Sequence, residues 1–238
     1  METSMNPLLD FSGLPRFADI KIEHVTPAVD QLLAAGRAVI ERVSAEATPS
    51  TWHDFIEPLE DANERLSRAW GQVGHLNAVM NSPELREVYN SNLPKLTEYY
   101  TELGQNETLF HKNKQLRSSA EFRQLCAAQQ KIIDNELRDF RLGGAELPDD
   151  NKARFKAISE ELSKLSSRFS DNVLDATNAF AHFVTDRAEL AGLPDDAVEA
   201  AAEAAERDGK NGWKFTLHMP SSLPVMQYAD NRGLREFM

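Results

Sequence analysis

The sequence predicts a mainly α protein, with long antiparallel helices forming a helical domain and a small α/β annex carrying two short strands near the C-terminus. Three observations predict it. Apolar residues recur at steps of three and four through most of the first 175 positions, the spacing of one helical face. After Asp175 the pattern changes to short stretches rich in aromatic and β-branched residues. Hydrophobic residues make up 41% of the 238 positions and charged residues 27%, the balance of a folded chain rather than a disordered one.

Residues 1–24 read as an extended N-terminal arm, punctuated by Pro7 and Pro15, with Phe11, Leu14, Phe17 and Ile20 as anchors. A first helix is expected from Thr26-Pro27, a cap residue followed by proline at the first helical position. Val29, Leu32, Leu33, Val39, Ile40 and Val43 fall on one face of it. The second helix is the most regular. Thr51 is its cap, and Phe55, Leu59, Ala62, Leu66, Ala69, Val73, Leu76 and Met80 form a continuous seam, weakened at Gly71 and Gly74. A third helix follows Ser82-Pro83 with Leu85, Tyr89, Leu93, Leu96, Tyr100 and Leu103, and Pro94 should kink it.

Ser118-x-x-Glu121 has the form of a capping box, so a fourth helix is expected to open there. It would carry Phe122, Leu125, Ile132, Ile133, Leu137 and Phe140 and stop at Gly143-Gly144. A fifth starts at Leu147-Pro148-Asp149-Asp150. Its seam of Phe155, Ile158, Leu162, Leu165, Phe169 and Val173 suits two long helices packed side by side. Strands are expected within 178–185 and 212–220, with a helix from Leu193-Pro194-Asp195-Asp196 between them. The organisation is therefore an arm over 1–24, a helical domain over 25–175 and an annex over 176–238. The closing stretch "ADNRGLREFM" begins a helix, with Asp230 as its cap, that is cut after one or two turns.

Net charge is −12, which argues against a nucleic-acid or anionic-membrane surface, since both need clustered cations. No stretch approaches the roughly 20 apolar residues of a membrane helix. Cys126 is the single cysteine, so no internal disulfide can form, which fits a reducing compartment. The start, with an early acid and two prolines, is not a signal peptide. The expectation is a cytoplasmic protein.

The search for chemistry is brief. None of His24, His53, His75, His111, His182 and His218 is followed by Glu, and no two are four apart, so the helical zinc-peptidase signature is absent. His75 reads as a packing histidine, because a metal would need further ligands that spacing does not offer. Neither a Gly-x-Ser-x-Gly elbow nor a phosphate-cradling loop occurs. Cys126, beside a helical seam, reads as a small buried hydrophobe. Trp52, Trp70 and Trp213 read as core residues. Glu160-Glu161 and Asp149-Asp150 sit on an exposed face and at a helix start, where the dipole favours acids. No catalytic, cofactor-binding or metal-binding residue is assigned.

Longer words carry more. "NPLL…LPRFADIKIEHVTPAV" (6–29), "GHLNAVMNSPELREVYNSNLP" (74–94), "FSDNVLDATNAF" (169–180), "VTDRAELAGLPDDAVEAAAEAA" (184–205) and "LHMPSSLPVMQYADNRGLRE" (217–236) resemble, in this order, the N-terminal part of the thimet oligopeptidase family of zinc metallopeptidases. The resemblance covers almost the whole chain. It implies a mostly helical molecule in which two halves flank a channel for short, unstructured peptides. It also implies zinc held by a His-Glu-x-x-His helix and a further Glu, all in a C-terminal catalytic half with no match here. No catalytic residue carries over, and zinc belongs to the full-length enzyme. The resemblance leads one to expect Asp where His218 stands and Tyr where Ser222 stands.

The expectation is an N-terminal, non-zinc-binding portion of an oligopeptidase, forming a wall of the peptide channel and inactive alone. Leu234 and Phe237 would face the missing half, and exposed apolar surface would drive self-association. The alternative is a stand-alone helical interaction or peptide-binding module without catalysis. A purely structural helical domain ranks last.

Overall fold

The structure is a computed structural model and describes residues 5–238; the first four positions of the arm lie outside the described residues. The chain folds as two compact units, Met1–Leu165 and Ser166–Met238. Helices dominate both. The sheet described is a single two-stranded one near the C-terminus.

In the first unit the arm forms two short 3-10 turns, Pro7–Leu9 and Phe17–Asp19. Leu8 is fully buried, and Leu9, Phe11 and Ile20 pack on the same core. Leu14, expected as an anchor, points into solvent instead. Helix α1 (Ile22–Ser44) begins ahead of Thr26-Pro27 and places Pro27 in its second turn. The earlier start holds because His24 Nδ1 accepts the Lys21 N–H at 3.1 Å, giving an orphan N-terminal donor a partner. Asn6 Nδ2 donates to the His24 carbonyl at 2.8 Å and ties the arm to the same turn.

Thr51 caps as expected, accepting the Asp54 N–H at 3.0 Å. A π-helical turn, Trp52–Ile56, leads into α2 (Glu57–Val79). α3 (Pro83–Gly104) is capped by Ser82, whose Oγ accepts the Leu85 N–H at 3.2 Å, and it stays one helix through Pro94. α1, α2 and α3 share a core of Val29, Leu32, Leu33, Leu66, Val73, Leu96 and Tyr99. Asn92, fully buried on α3, donates to Thr26 Oγ1 on α1 at 2.8 Å.

The next stretch departs from expectation. A helix, α4 (Glu107–Ser118), precedes the supposed capping box, with Asn106 as its cap. The Ser118-x-x-Glu121 box opens no α-helix. Ser118 Oγ donates to the Lys114 carbonyl, finishing α4, and Glu121 Oε1 accepts the Trp52 N–H at 2.9 Å, 69 positions away. A tertiary partner displaces the local one, and residues 121–124 form only a 3-10 turn. α5 (Ala127–Gly143) starts after Cys126 and stops at Gly144, whose φ of 97° is the left-handed conformation that glycine adopts without strain. Gly143 does something else. A Cβ there would stand 3.0 Å from the Gly104 carbonyl oxygen, so α3 and α5 meet backbone to backbone. Phe55, Leu109, Phe110, Ile133 and Phe140 form the second core, at this end of the unit.

α6 (Asp149–Ala179) is the longest helix, and none of its residues is buried. The side-by-side packing expected of its seam is not what holds it. Within the first unit α3 grips its polar flank: Lys156 pairs with Glu98 at 2.6 Å, Thr97 donates to Ser163 at 2.9 Å, and Gln105 donates to the Lys152 carbonyl at 3.3 Å. The apolar seam faces outward. Ile158, Leu162, Leu165, Phe169 and Val173 are between 45% and 69% exposed.

In the second unit β1 (His182–Val184) pairs antiparallel with β2 (Trp213–Phe215), His182 opposite Phe215 and Val184 opposite Trp213. α7 (Asp195–Arg207) lies between them in sequence and packs on β2 with Val198, Ala201 and Ala205 buried. α8 (Met219–Tyr228) and α9 (Arg232–Phe237) complete the unit. The cap of α9 is Asn231 rather than Asp230: Asn231 Oδ1 accepts the N–H groups of Gly233 and Leu234 at 2.9 and 3.3 Å. Leu234 is buried in the core of this unit, at 3% exposure, and not turned outward. Phe237 is exposed, with its ring 4.0 Å from that of His182.

Candidate functional site

The structure scatters the residues that could carry chemistry. His24 is a helix cap. His75 packs against Phe17 at 5.2 Å between ring centroids, and His111 stacks with Phe110. His182 lies on Phe237 in the second unit. His218 precedes α8 and accepts the Ser221 and Ser222 N–H groups with its carbonyl, while Ser222 Oγ donates to that same carbonyl at 3.2 Å. Both positions where the resemblance suggested other residues thus serve the start of a helix. Among the described residues only His53 hydrogen-bonds a carboxylate, Glu57, at 2.8 Å, and this hydrogen bond raises its pKa. A histidine oriented by an acid is half of a nucleophilic arrangement, but among the described residues no hydroxyl or thiol hydrogen-bonds the pair.

Cys126 is exposed, contrary to the buried reading. The chain is extended at Leu125 and Cys126, so this residue occupies the cap position of α5 and leaves the seam it was assigned to. The three tryptophans are half-buried against the cores: Trp70 stacks on Tyr89 with centroids 4.6 Å apart, Trp52 joins the second core, and Trp213 lies in the core of the C-terminal unit. Asp149 and Asp150 stand in the first turn of α6.

Burial displaces several titratable groups, Glu136, Tyr99 and Lys112 among them. Desolvation, reinforced by Glu60 and Asp139, pushes Glu136 up to about 7. Burial pushes Tyr99 up to about 12. Burial also lowers Lys112, which is 7% exposed and donates to the carbonyls of Ala45 (3.0 Å) and Thr48 (2.6 Å). Lys112 clips the turn after α1 to α4, and its role is structural. No group of three His, Cys, Asp or Glu side chains among the described residues could hold a metal ion, so these residues do not fit zinc. No described helix is long and apolar enough to cross a membrane.

The seam of α6 leaves Ile158, Leu162, Leu165, Phe169 and Val173 exposed. The fold defines a mainly helical protein with one small two-stranded sheet among the described residues. A profile of the neurolysin/thimet oligopeptidase N-terminal domain matches residues 29–152, just over half of the chain. The chain belongs to the thimet oligopeptidase family. It is 49% identical over 233 residues to oligopeptidase A of Haemophilus influenzae and 46% identical over 233 residues to oligopeptidase A of Escherichia coli; each alignment covers 98% of this chain and 34% of the relative. Dipeptidyl carboxypeptidase of Escherichia coli is 28% identical over 239 residues, covering 98% of this chain and 35% of the relative. The chain therefore spans about a third of the length of the curated relatives it matches.

Proposed function

We propose that this chain is the N-terminal, non-zinc-binding portion of a zinc-dependent oligopeptidase, and that it forms a wall of the channel that admits short peptides. The observation that carries the reading is the identity to two oligopeptidases A along 98% of the chain. The seam of α6 supports it. A row of five half-exposed apolar side chains is surface that further polypeptide would cover. The zinc and its ligands belong to the remaining, C-terminal catalytic part, and the cytoplasm is the compartment that suits a lone exposed thiol.

The role of the wall is exclusion and support. It limits which chains reach the metal, and the chain alone hydrolyses nothing. The test is a quenched fluorescent peptide incubated with the purified 238-residue chain, with and without added zinc. No hydrolysis is expected in either case. Zinc-dependent cleavage that a chelator abolishes would overturn the proposal. Stable folding together with specific capture of a separate protein, and no loss on covering the seam, would favour a stand-alone interaction module instead.

A further inference from the structure

α6 is one unbroken helix, and the apolar seam lies on the face turned away from its contacts with α3. Phe155, Leu162 and Phe169 stand seven residues apart, and Ile158 and Leu165 follow the first two by three. That is the repeat by which two helices pack knobs into holes at a shallow angle. Ile158, Leu162, Leu165 and Phe169 are 45%, 58%, 52% and 69% exposed, so the described chain leaves the repeat about half uncovered. The residue before each of Phe155, Leu162 and Phe169 is charged: Arg154, Glu161 and Arg168, with Asp175 one heptad further on. These four line one edge of the seam, all are exposed, and their signs alternate. The other edge carries Ser159, Ser166 and Val173.

We infer that two copies of this chain pair through α6, antiparallel and in a single register. A two-fold axis across the helices lays like edge against like edge. With Leu162 of one copy over Leu165 of the other, and Ile158 over Phe169, Glu161 falls beside Arg168 of the second copy and Arg154 beside its Asp175. Symmetry makes each pair occur twice. Asp175 also has a contact within its own chain, so the inner Glu161–Arg168 pairs are the ones that decide. Sliding one copy by a heptad in one direction sets Glu161 against Glu161 and Arg154 against Arg168. Sliding it the other way sets Arg168 against Arg168 and Glu161 against Asp175. A parallel pair would lay the charged edge on the edge of Ser159, Ser166 and Val173 and gain no ion pair. Exposed ion pairs add little attraction, but the repulsion in every other register makes them selective. The attraction comes from the seam. Five half-exposed apolar side chains and their charged flank, covered on both copies, come to about 1,000 Å² of buried surface, the lower bound for a specific interface. A weak dimer follows, with a Kd of roughly 10–100 μM. The pairing belongs to the 238-residue chain and does not rest on the peptidase reading.

Sedimentation equilibrium should show monomers and dimers, the share of dimer rising with concentration. Glu161→Arg alone and Arg168→Glu alone should each weaken the dimer about tenfold, because two attractions become two repulsions. Both residues are exposed, so neither change threatens the fold. Glu161→Arg together with Arg168→Glu keeps the net charge and should return the affinity to within about threefold of the parent. Cysteines read the direction. With Cys126→Ser throughout, a mixture of the Ile158→Cys and Phe169→Cys chains should form a disulfide-linked pair in air. Either variant alone should not, since its two thiols would lie about 16 Å apart along the axis. A chain that stays monomeric up to about 0.5 mM leaves the seam to a different polypeptide and overturns the inference. So does a double variant as weak as the single ones, or an Ile158→Cys chain that links to itself as fast as to its Phe169→Cys counterpart.

Discussion

The Tyr99 ring lies where a side chain on Gly36 would have to go: a Cβ at position 36 would stand 2.5 Å from the Tyr99 hydroxyl oxygen and 3.0 Å from the carbon that bears it. That hydroxyl donates to Asn63 Oδ1 at 2.8 Å, so one contact joins α1, α3 and α2. Gly36→Ala should therefore destabilise the chain by about 1–3 kcal/mol, because overpacking outweighs the helix-propensity gain of up to about 1 kcal/mol. Urea unfolding measures it. Adding Tyr99→Phe, which deletes the nearest atom, should recover part of the loss. A Gly36→Ala chain more stable than the parent would show that Tyr99 has room to move.

Lys112→Met keeps the stem and removes the ammonium that holds the Ala45 and Thr48 carbonyls. Two partly buried acceptors lose their donor, and the expected loss is about 1–3 kcal/mol. Hydrogen exchange should show faster opening at residues 45–51 and little change in the C-terminal unit.

Glu136 predicts the pH dependence. Its folded pKa of about 7 lies above its ordinary 4.5. Between those values the folded chain retains a proton that the unfolded chain has released, so this group's contribution falls as pH rises through the window and is least favourable above about 7. Full conversion at 1.36 kcal/mol per unit gives roughly 3 kcal/mol, and solvent access reduces it to about 1–2 kcal/mol. Glu136→Gln should raise stability at pH 8, leave it nearly unchanged at pH 4, and flatten the profile between. A gain equal at both pH values would point to packing rather than to the charge.

The outward seam of α6 predicts self-association. Sedimentation should show oligomers that grow with concentration, and Leu162→Glu with Phe169→Glu should return the chain to a monomer without lowering its thermal midpoint, since both side chains are more than half exposed. A clean monomer for the unaltered chain at high concentration would sink this.

Where local chemistry decides, the sequence was readable. Thr51, Ser82 and Gly144 act as helix punctuation through bonds to residues within a few positions, and the two strands fall inside the stretches that alternate aromatic and β-branched residues. Where a distant partner competes, it was not. Glu121 serves Trp52 across 69 residues, so the capping box spelled by Ser118 is never closed. α4 went unread because Leu109, Phe110 and Leu116 are too few and too separated by Lys and Asn to make a seam, although Asn106 was there as a cap signal. The α6 periodicity was correct about the helix and wrong about what touches it, since a pattern says which face is apolar and not whether anything covers it. A groove beside α1 was invisible for a related reason. Its lining comes from an arm and two helices whose relative placement is a tertiary fact.

The meeting of Gly104 and Gly143 has one more consequence. Side-chain contacts absorb strain by changing rotamer, but bare main chain has no rotamers to change. A push on the last turn of α5 is therefore handed directly to the last turn of α3, and the two helix ends behave as a welded corner.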